Sequence, residues 1–245
     1  MLKQEGDAVE MLLTGFAPAL VNAIRRTIIN NVYTIAIDDV TIYKNTSSMY
    51  DEVLASRLGL LPIKTLSSLN KGEKSFTFKL KETGPKAVHA SDLICEDEDV
   101  KPVYGDMLII NLREGEAIEL EAKAVFGNGQ DHTKFTPAHV FYHFYPVIDI
   151  KKGEVKGAQK IASLCPVDIL DGNGNKLTVK KGKLPECILC KACEDYAGSD
   201  VIKISSDTDR IVMNVESWNQ LETKEILKEA ISALETEVKE IAKKV

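Results

Sequence analysis

No stretch of this 245-residue chain is apolar for long enough to span a membrane as a helix, and its first residues lack the charged-then-apolar order of a secretory signal. Missing too is any excess of basic residues. The formal net charge of −6 argues against a freestanding nucleic-acid binder, whose surface is normally basic. Phosphate-binding signatures are also absent. Gly127-Asn-Gly129-Gln-Asp-His132 lacks the Lys-Ser/Thr ending of a P-loop and the third glycine of a dinucleotide fingerprint, so a turn with a contact role is expected there. Neither a Ser/His/Asp set nor a pair of carboxylates stands out, and no catalytic residue is assigned. What remains is an ordinary globular composition, 44% apolar and 28% charged. The length suits one large domain or two to three small ones.

Cysteine is sparse but not scattered. Four of the five fall in Cys165-Pro166 and Cys187-Ile-Leu-Cys190-Lys-Ala-Cys193, a grouping that predicts a reducing, cytoplasmic setting rather than a disulfide scaffold. Cys95, in Leu93-Ile-Cys-Glu-Asp-Glu-Asp99, has no partner motif and reads as an incidental thiol. Thiolates this dense repel one another, and iron is the usual centre that holds them. The bacterial ferredoxin run is C-x2-C-x2-C-x3-C-P, and in two-cluster ferredoxins the fourth cysteine of one run ligates the other run's cluster. Cys165-Pro166 then ends a first run whose other positions are Val155, Ala158 and Ile161, while Cys187, Cys190 and Cys193 open a second whose fourth position is Ala197. All ligands of one cluster are gone and all four of the other remain. The expected cofactor is a [4Fe-4S] cluster on Cys165, Cys187, Cys190 and Cys193, with a [3Fe-4S] cluster on the last three as the alternative. Zinc is the rival, although knuckles that overlap at Cys190 fit poorly with the two separate knuckles of most structural zinc sites. Lys180, Lys181, Lys183 and Lys191 are expected to place positive charge beside the cluster.

Around the cysteines, Val167–Leu170 predicts a short turn of helix, Asp171-Gly-Asn-Gly-Asn175 a turn and Leu177–Val179 a return strand. Upstream, Ala8–Leu13 alternates as a strand, and a helix is expected over 17–31 with Ala17, Leu20, Val21, Ile24 and Ile28 on one face. Asn22, Arg25 and Arg26 lie on its other side. Strands are expected over 34–44, 76–80, 118–126 and 139–145, and a short helix over 51–59 ended by Gly59. His139 and His143 share a strand face but stand about 13 Å apart at roughly 3.3 Å per residue, too far for one ion, and read as structural. Two strands, 201–204 and 210–215, bracket Ser206-Asp-Thr-Asp209. The last helix starts at Thr223, an N-cap candidate, and carries Leu227, Ile231, Leu234, Val238, Ile241 and Val245 at alternating gaps of four and three. Such a narrow seam calls for another helix against it. The helix over 17–31 offers one mate, and a second protein offers another.

Two segments are specific: Gly15-Phe-Ala-Pro-Ala-Leu-Val-Asn-Ala-Ile-Arg-Arg-Thr27 and Asp51-Glu-Val-Leu-Ala-Ser-Arg-Leu-Gly-Leu-Leu-Pro-Ile63. With Asp131-His-Thr-Lys-Phe135 and the cysteine segment, they make the chain resemble, over essentially its whole length, the D-type assembly subunits of archaeal DNA-directed RNA polymerases. The counterparts of that family are the bacterial alpha N-terminal domain and the third-largest subunit of eukaryotic polymerase II. Tyr33 departs from the pattern, since relatives often carry proline there.

That resemblance implies an α+β fold in three parts: a discontinuous alpha-N-terminal-like dimerisation module (1–40 and 208–245), a β-rich assembly domain (41–150 and 198–207) and a ferredoxin-like iron–sulfur insert (151–197). It also implies a heterodimer with the smaller subunit L through Leu20, Ile24, Arg25, Arg26, Ile28, Leu227, Ile231, Leu234, Val238 and Ile241. Contacts to the second-largest catalytic subunit and other polymerase subunits would involve Arg57, Leu58, Gly59, Pro62, His132 and Lys134. The role implied is scaffolding, with DNA reached only through the complex and no membrane involved. The Mg²⁺-binding aspartates belong to another subunit in that family, and no Asp-x-Asp-x-Asp signature occurs here. The cluster would serve as a structural staple or as an oxidation sensor of assembly. A ferredoxin-like electron carrier is the competing reading. It explains the cysteines but neither the heptad helix nor the two specific segments, and the chain has no evident second redox centre.

Overall fold

The computed structural model describes residues 3–65, 75–151 and 154–244. In chain order the elements are β1 (Lys3–Glu5), β2 (Ala8–Thr14), α1 (Pro18–Asn31), β3 (Thr34–Asn45), α2 (Asp51–Gly59), β4 (Phe76–Thr83), β5 (Lys86–His89), β6 (Ile94–Cys95), β7 (Leu108–Leu112), β8 (Ala117–Gly127), β9 (Ala138–Ile150), α3 (Ala158–Ser163), β10 (Leu170–Asn173), β11 (Lys176–Val179), α4 (Ala192–Ala197), β12 (Ile202–Ser217) and α5 (Thr223–Ala242). They form two compact units. One comprises Glu10–Leu20 and Tyr142–Asn214, the other Lys3–Val9, Val21–Phe141 and 215–244. The fold is mixed α and β, and the pairs β3–β8, β4–β8, β4–β6, β5–β7 and β10–β11 are antiparallel.

In the larger unit a sheet ordered β3-β8-β4-β6 carries the core. Alternation explains it. Phe76, Phe78 and Leu80 of β4 lie opposite Ala124, Ala122 and Leu120 of β8, and all six are buried. Leu54 and Leu58, one turn apart on α2, complete the same core. The β3–β8 register slips at Asp38 and again at Tyr43. Both extra residues are used: Asp38 pairs with Lys134 at 2.5 Å, and the Tyr43 hydroxyl donates to Glu121 at 2.9 Å. The Glu121 carboxylate raises the Tyr43 phenol's pKa above its ordinary value. The Gly127–Pro137 turn closes onto the end of α1, where the Gln130 N–H donates to the Asn30 carbonyl at 3.3 Å. Gly129 permits that approach, because a Cβ there would stand 2.0 Å from the Ile29 carbonyl oxygen.

In the other unit, β2, β12 and β9 are consecutive in a sheet ordered β1-β2-β12-β9. The hairpin β10–β11 turns through Gly174 at φ 59°, the left-handed backbone that favours glycine as first turn residue. Gly172 of that hairpin lies against α3, and a Cβ there would stand 2.4 Å from the Ala158 carbonyl oxygen. Two expectations need correction. The helix lies before Cys165, as α3, whereas 166–167 form a turn and Leu170 opens β10. The expected break at 206–209 is absent, and β12 runs unbroken for 16 residues. Asp207 supplies the reason. Its carboxylate accepts from the Asp209 N–H at 2.9 Å and from the Arg210 guanidinium at 2.6 Å, which satisfies the polar residues without turning the chain. Those donors hold the Asp207 carboxyl below its ordinary pKa, Arg210 contributing most.

Candidate functional site

The cysteine segment is built from short pieces. The Cys165 N–H donates to Ala162 at the end of α3 (3.1 Å), and the Cys187 N–H donates to Leu184 in a single 3-10 turn (3.1 Å). Beyond Cys187 the chain curls through two left-handed residues, Leu189 (φ 56°) and Lys191 (φ 59°), on either side of Cys190. Neither is glycine, and side chains seldom adopt this backbone unless their surroundings impose it. Helix α4 then begins and buries Cys193. Cys187 and Cys193 are each 9% exposed, Cys165 is half-buried and Cys190 is exposed.

Burial pushes the Cys187 thiol above its ordinary pKa, opposed by the Leu189 N–H, and the nearby Cys165 and Cys190 raise it further. Cys193 is pushed up in the same way by burial, against N–H groups of Glu194 and of its own residue, with Cys187 and Cys190 as like-charged neighbours. Cys187 therefore lies within electrostatic range of Cys165 and Cys190, and Cys193 within range of Cys187 and Cys190. Without a cation the two buried ones are neutral thiols rather than nucleophiles. Among the described residues, no three His, Cys, Asp or Glu side chains are grouped as ligands of a single metal ion. Val155, Ala158 and Ile161, at the vacated positions, are buried in one apolar cluster with Cys187 and Cys193, and Ala197 packs against it. The expected positive field is partly spent: Lys180 pairs with Asp168 at 2.6 Å and Lys183 with Glu186 at 3.6 Å. The Lys180 ammonium holds the Asp168 carboxyl below its ordinary pKa.

Helix α5 shows two apolar stripes about a quarter turn apart at 3.6 residues per turn. Ile226 and Ala230 are buried, and Glu237, on that same side, accepts a hydrogen bond from the Asn31 amide of α1 at 2.5 Å. The other stripe is left open: Ile231 is 48% exposed, Val238 58% and Ile241 63%, with Leu227 and Leu234 half-buried. Val245, the last member of the seam, lies outside the described residues. Thr223 is the first helical residue rather than the cap, with Glu222 preceding it, and its hydroxyl donates to the Asp7 carbonyl at 3.3 Å.

On α1, Leu20 and Arg26 are exposed, Ile24 is half-buried and Arg25 donates to Asn22 of the previous turn at 3.0 and 3.2 Å. Ile28 is fully buried and belongs to the chain's own packing rather than to an open surface. The other contact residues divide in the same way. Leu58 is core, Gly59 and Pro62 are half-buried and Leu60 is exposed. Arg57 donates to the carbonyls of Ile109 (3.0 Å) and Leu108 (2.6 Å), so it clamps α2 to β7. The Lys134 side chain is 12% exposed and ion-paired with Asp38. His132 is exposed, and its Nδ1 accepts from the Lys134 N–H at 3.1 Å as the cap of a 3-10 turn.

Sequence reading missed two side chains that tie the cysteine loop to the sheet. His143 on β9 reaches the Pro185 carbonyl at 3.3 Å, and Glu194 on α4 accepts from the Ile204 N–H of β12 at 2.9 Å. No local pattern marks either.

Residues 29–141 match the family model described as RNA polymerase Rpb3/RpoA insert domain. Curated relatives align over nearly the whole chain. One from Pyrococcus horikoshii, "DNA-directed RNA polymerase subunit Rpo3", is 34% identical over 96% of this chain and 92% of its own length. Proteins of the same name from Pyrococcus furiosus (32%, covering 96% and 91%) and Archaeoglobus fulgidus (31%, covering 99% and 96%) are similar over comparable spans.

Proposed function

Because the chain belongs to the family of archaeal RNA polymerase Rpo3 subunits, we propose that it is a non-catalytic assembly subunit of DNA-directed RNA polymerase. The observation that carries the reading is the open stripe of α5. Three β-branched side chains sit 48–63% in water along one helix line, beside a separate stripe that already serves the chain's own core. A helix of the smaller subunit L is the occupant that fits, through knobs packed on Ile231, Leu234, Val238 and Ile241. Exposed Leu60 on the exit of α2 and the His132 turn face the second-largest catalytic subunit, and DNA is reached only through the complex. The three-part division into dimerisation module, β-rich domain and 151–197 insert belongs to the same proposal, as does a cytoplasmic setting. No described helix is long and apolar enough to cross a membrane.

The cysteine segment fits a thiolate-held cluster. Cys165, Cys187, Cys190 and Cys193 would hold [4Fe-4S], or the last three [3Fe-4S]. The N–H groups of Leu189 and Glu194, which favour the charged forms of Cys187 and Cys193, suit sulfurs that carry negative charge once iron replaces the protons. The cluster would supply a covalent tie between the end of α3 and the 187–193 loop, a staple for a small apolar core. A sensor role requires that air exposure weaken binding to L, and an unchanged binding curve after complete cluster loss excludes it. The electron-carrier reading finds no support among the relatives, which are named as polymerase subunits.

Anaerobic co-purification with iron and sulfide analysis tests both parts. Capture of L and the catalytic subunits with stoichiometric iron and sulfide is the expected result. A lone monomer refutes the assembly role, and a metal-free protein that still captures L refutes the cluster alone.

A further inference from the structure

We infer that His143 and Glu194 are positioning residues that hold the two ends of the Cys187–Cys193 loop before any metal arrives; the inference rests on the cluster reading above. Ligands of a metal site are commonly ordered by the metal itself, because binding and folding are coupled. This loop has a second source of order, since each end is anchored to the same sheet by a side chain that is not a ligand.

Glu194 directly follows Cys193 and works in two directions. Its backbone N–H favours the charged form of the Cys193 sulfur, while its carboxylate accepts the Ile204 N–H of β12 at 2.9 Å. A strand amide normally donates to a neighbouring strand, and Ile204 is a buried residue. Were the carboxylate removed, that donor would lose its partner, which makes the contact an anchor rather than an incidental touch. At the other end His143 of β9 bonds the Pro185 carbonyl, two residues before Cys187. A carbonyl only accepts, so Nε2 carries the proton. Strands β9 and β12 are neighbours, and both anchors therefore refer the loop to one rigid frame. Between them lie the left-handed Leu189 and Lys191, a path the chain would abandon if either end were freed. Thiols held near their final places lose less conformational freedom when a cluster binds, so iron should leave more slowly than from a slack loop.

The test uses the full chain, reconstituted anaerobically with ferrous iron and sulfide, and the variants Glu194→Ala, His143→Phe and Glu194→Gln. Losing one anchoring hydrogen bond should speed iron release to a chelator about tenfold, read from the decay of the cluster's visible absorbance. Glu194→Gln, whose amide oxygen still accepts, should stay within about threefold of wild type. Amide exchange over 184–195 in the metal-free chain should be faster in the first two variants and not in the third. Equal exchange in all chains overturns the anchors whether or not metal binds. Faster exchange with unchanged iron release overturns their role toward the cluster. If the wild-type chain takes up no iron or sulfide while the exchange difference stands, the cluster reading fails and the anchors survive.

Discussion

Replacing Ile231, Val238 and Ile241 together by serine should separate partner binding from folding. All three residues are 48–63% exposed, and the helix packs on its own unit through Ile226 and Ala230 instead. Complete burial of such a side chain contributes about 1.5–3 kcal/mol, and roughly half of that remains to be gained when a partner covers a half-exposed one. Each substitution should then cost about 1 kcal/mol of binding, and the three together about 3 kcal/mol, if their effects add. That is a loss of about 150-fold in affinity for subunit L. Titration calorimetry against purified L measures it, and a circular-dichroism melt of the lone chain supplies the control. The melt should hardly move, since already wet surface positions change stability by no more than about 0.5 kcal/mol. Ile226→Ala should do the reverse, costing about 2–5 kcal/mol of folding stability through a buried cavity. An affinity within about threefold of wild type, or a lone-chain melt lowered by several degrees, would refute the view that this stripe awaits a partner.

Four further outcomes follow from the geometry. Gly129→Ala and Gly172→Ala each drive a Cβ into a backbone carbonyl and should cost about 1–3 kcal/mol in urea unfolding, against little change for Gly59→Ala, where a Cβ would meet only the Ile37 carbonyl oxygen at an ordinary 3.5 Å. Arg57→Ala should lower stability by about 1 kcal/mol, since it removes two hydrogen bonds to β7 carbonyls at a partly exposed site, so lost assembly in that variant must be corrected for lost folding. In the metal-free chain, iodoacetamide at neutral pH should label exposed Cys190 well ahead of Cys187 and Cys193, as read by peptide mass spectrometry. Because burial raises the pKa of those two thiols, the folded chain retains protons that the unfolded chain releases above about pH 8.5. Stability should be unaffected below that pH and fall as pH rises through the folded values, and a flat denaturation profile into the alkaline range would contradict the burial.

Much of the chain was legible from local rules. The helical spacing of Leu20, Val21, Ile24 and Ile28 marked α1, and the gaps of four and three from Leu227 onward marked α5. The alternation Phe76, Phe78, Leu80 marked β4. Each signal is a period that a short segment imposes on itself, because a helix or strand must turn its apolar residues to one side. The grouping of four cysteines was equally local, and so were the two polymerase-like segments.

Other features were settled only by tertiary structure. The seam on α5 was plain as a pattern, but whether the chain's own core used it depended on packing, which took the neighbouring stripe and left the seam in water. Arg57 and Lys134 looked like free contacts until the fold brought β7 carbonyls and Asp38 within reach. Gly129 looked like a loop glycine until the end of α1 came against it, and Asp207 held β12 straight where composition called for a turn. Glu194 and His143 became anchors only because β12 and β9 pass beside the loop. A sequence states which groups need partners. Which partner each one finds depends on segments far apart in the chain, and no local period records that distance.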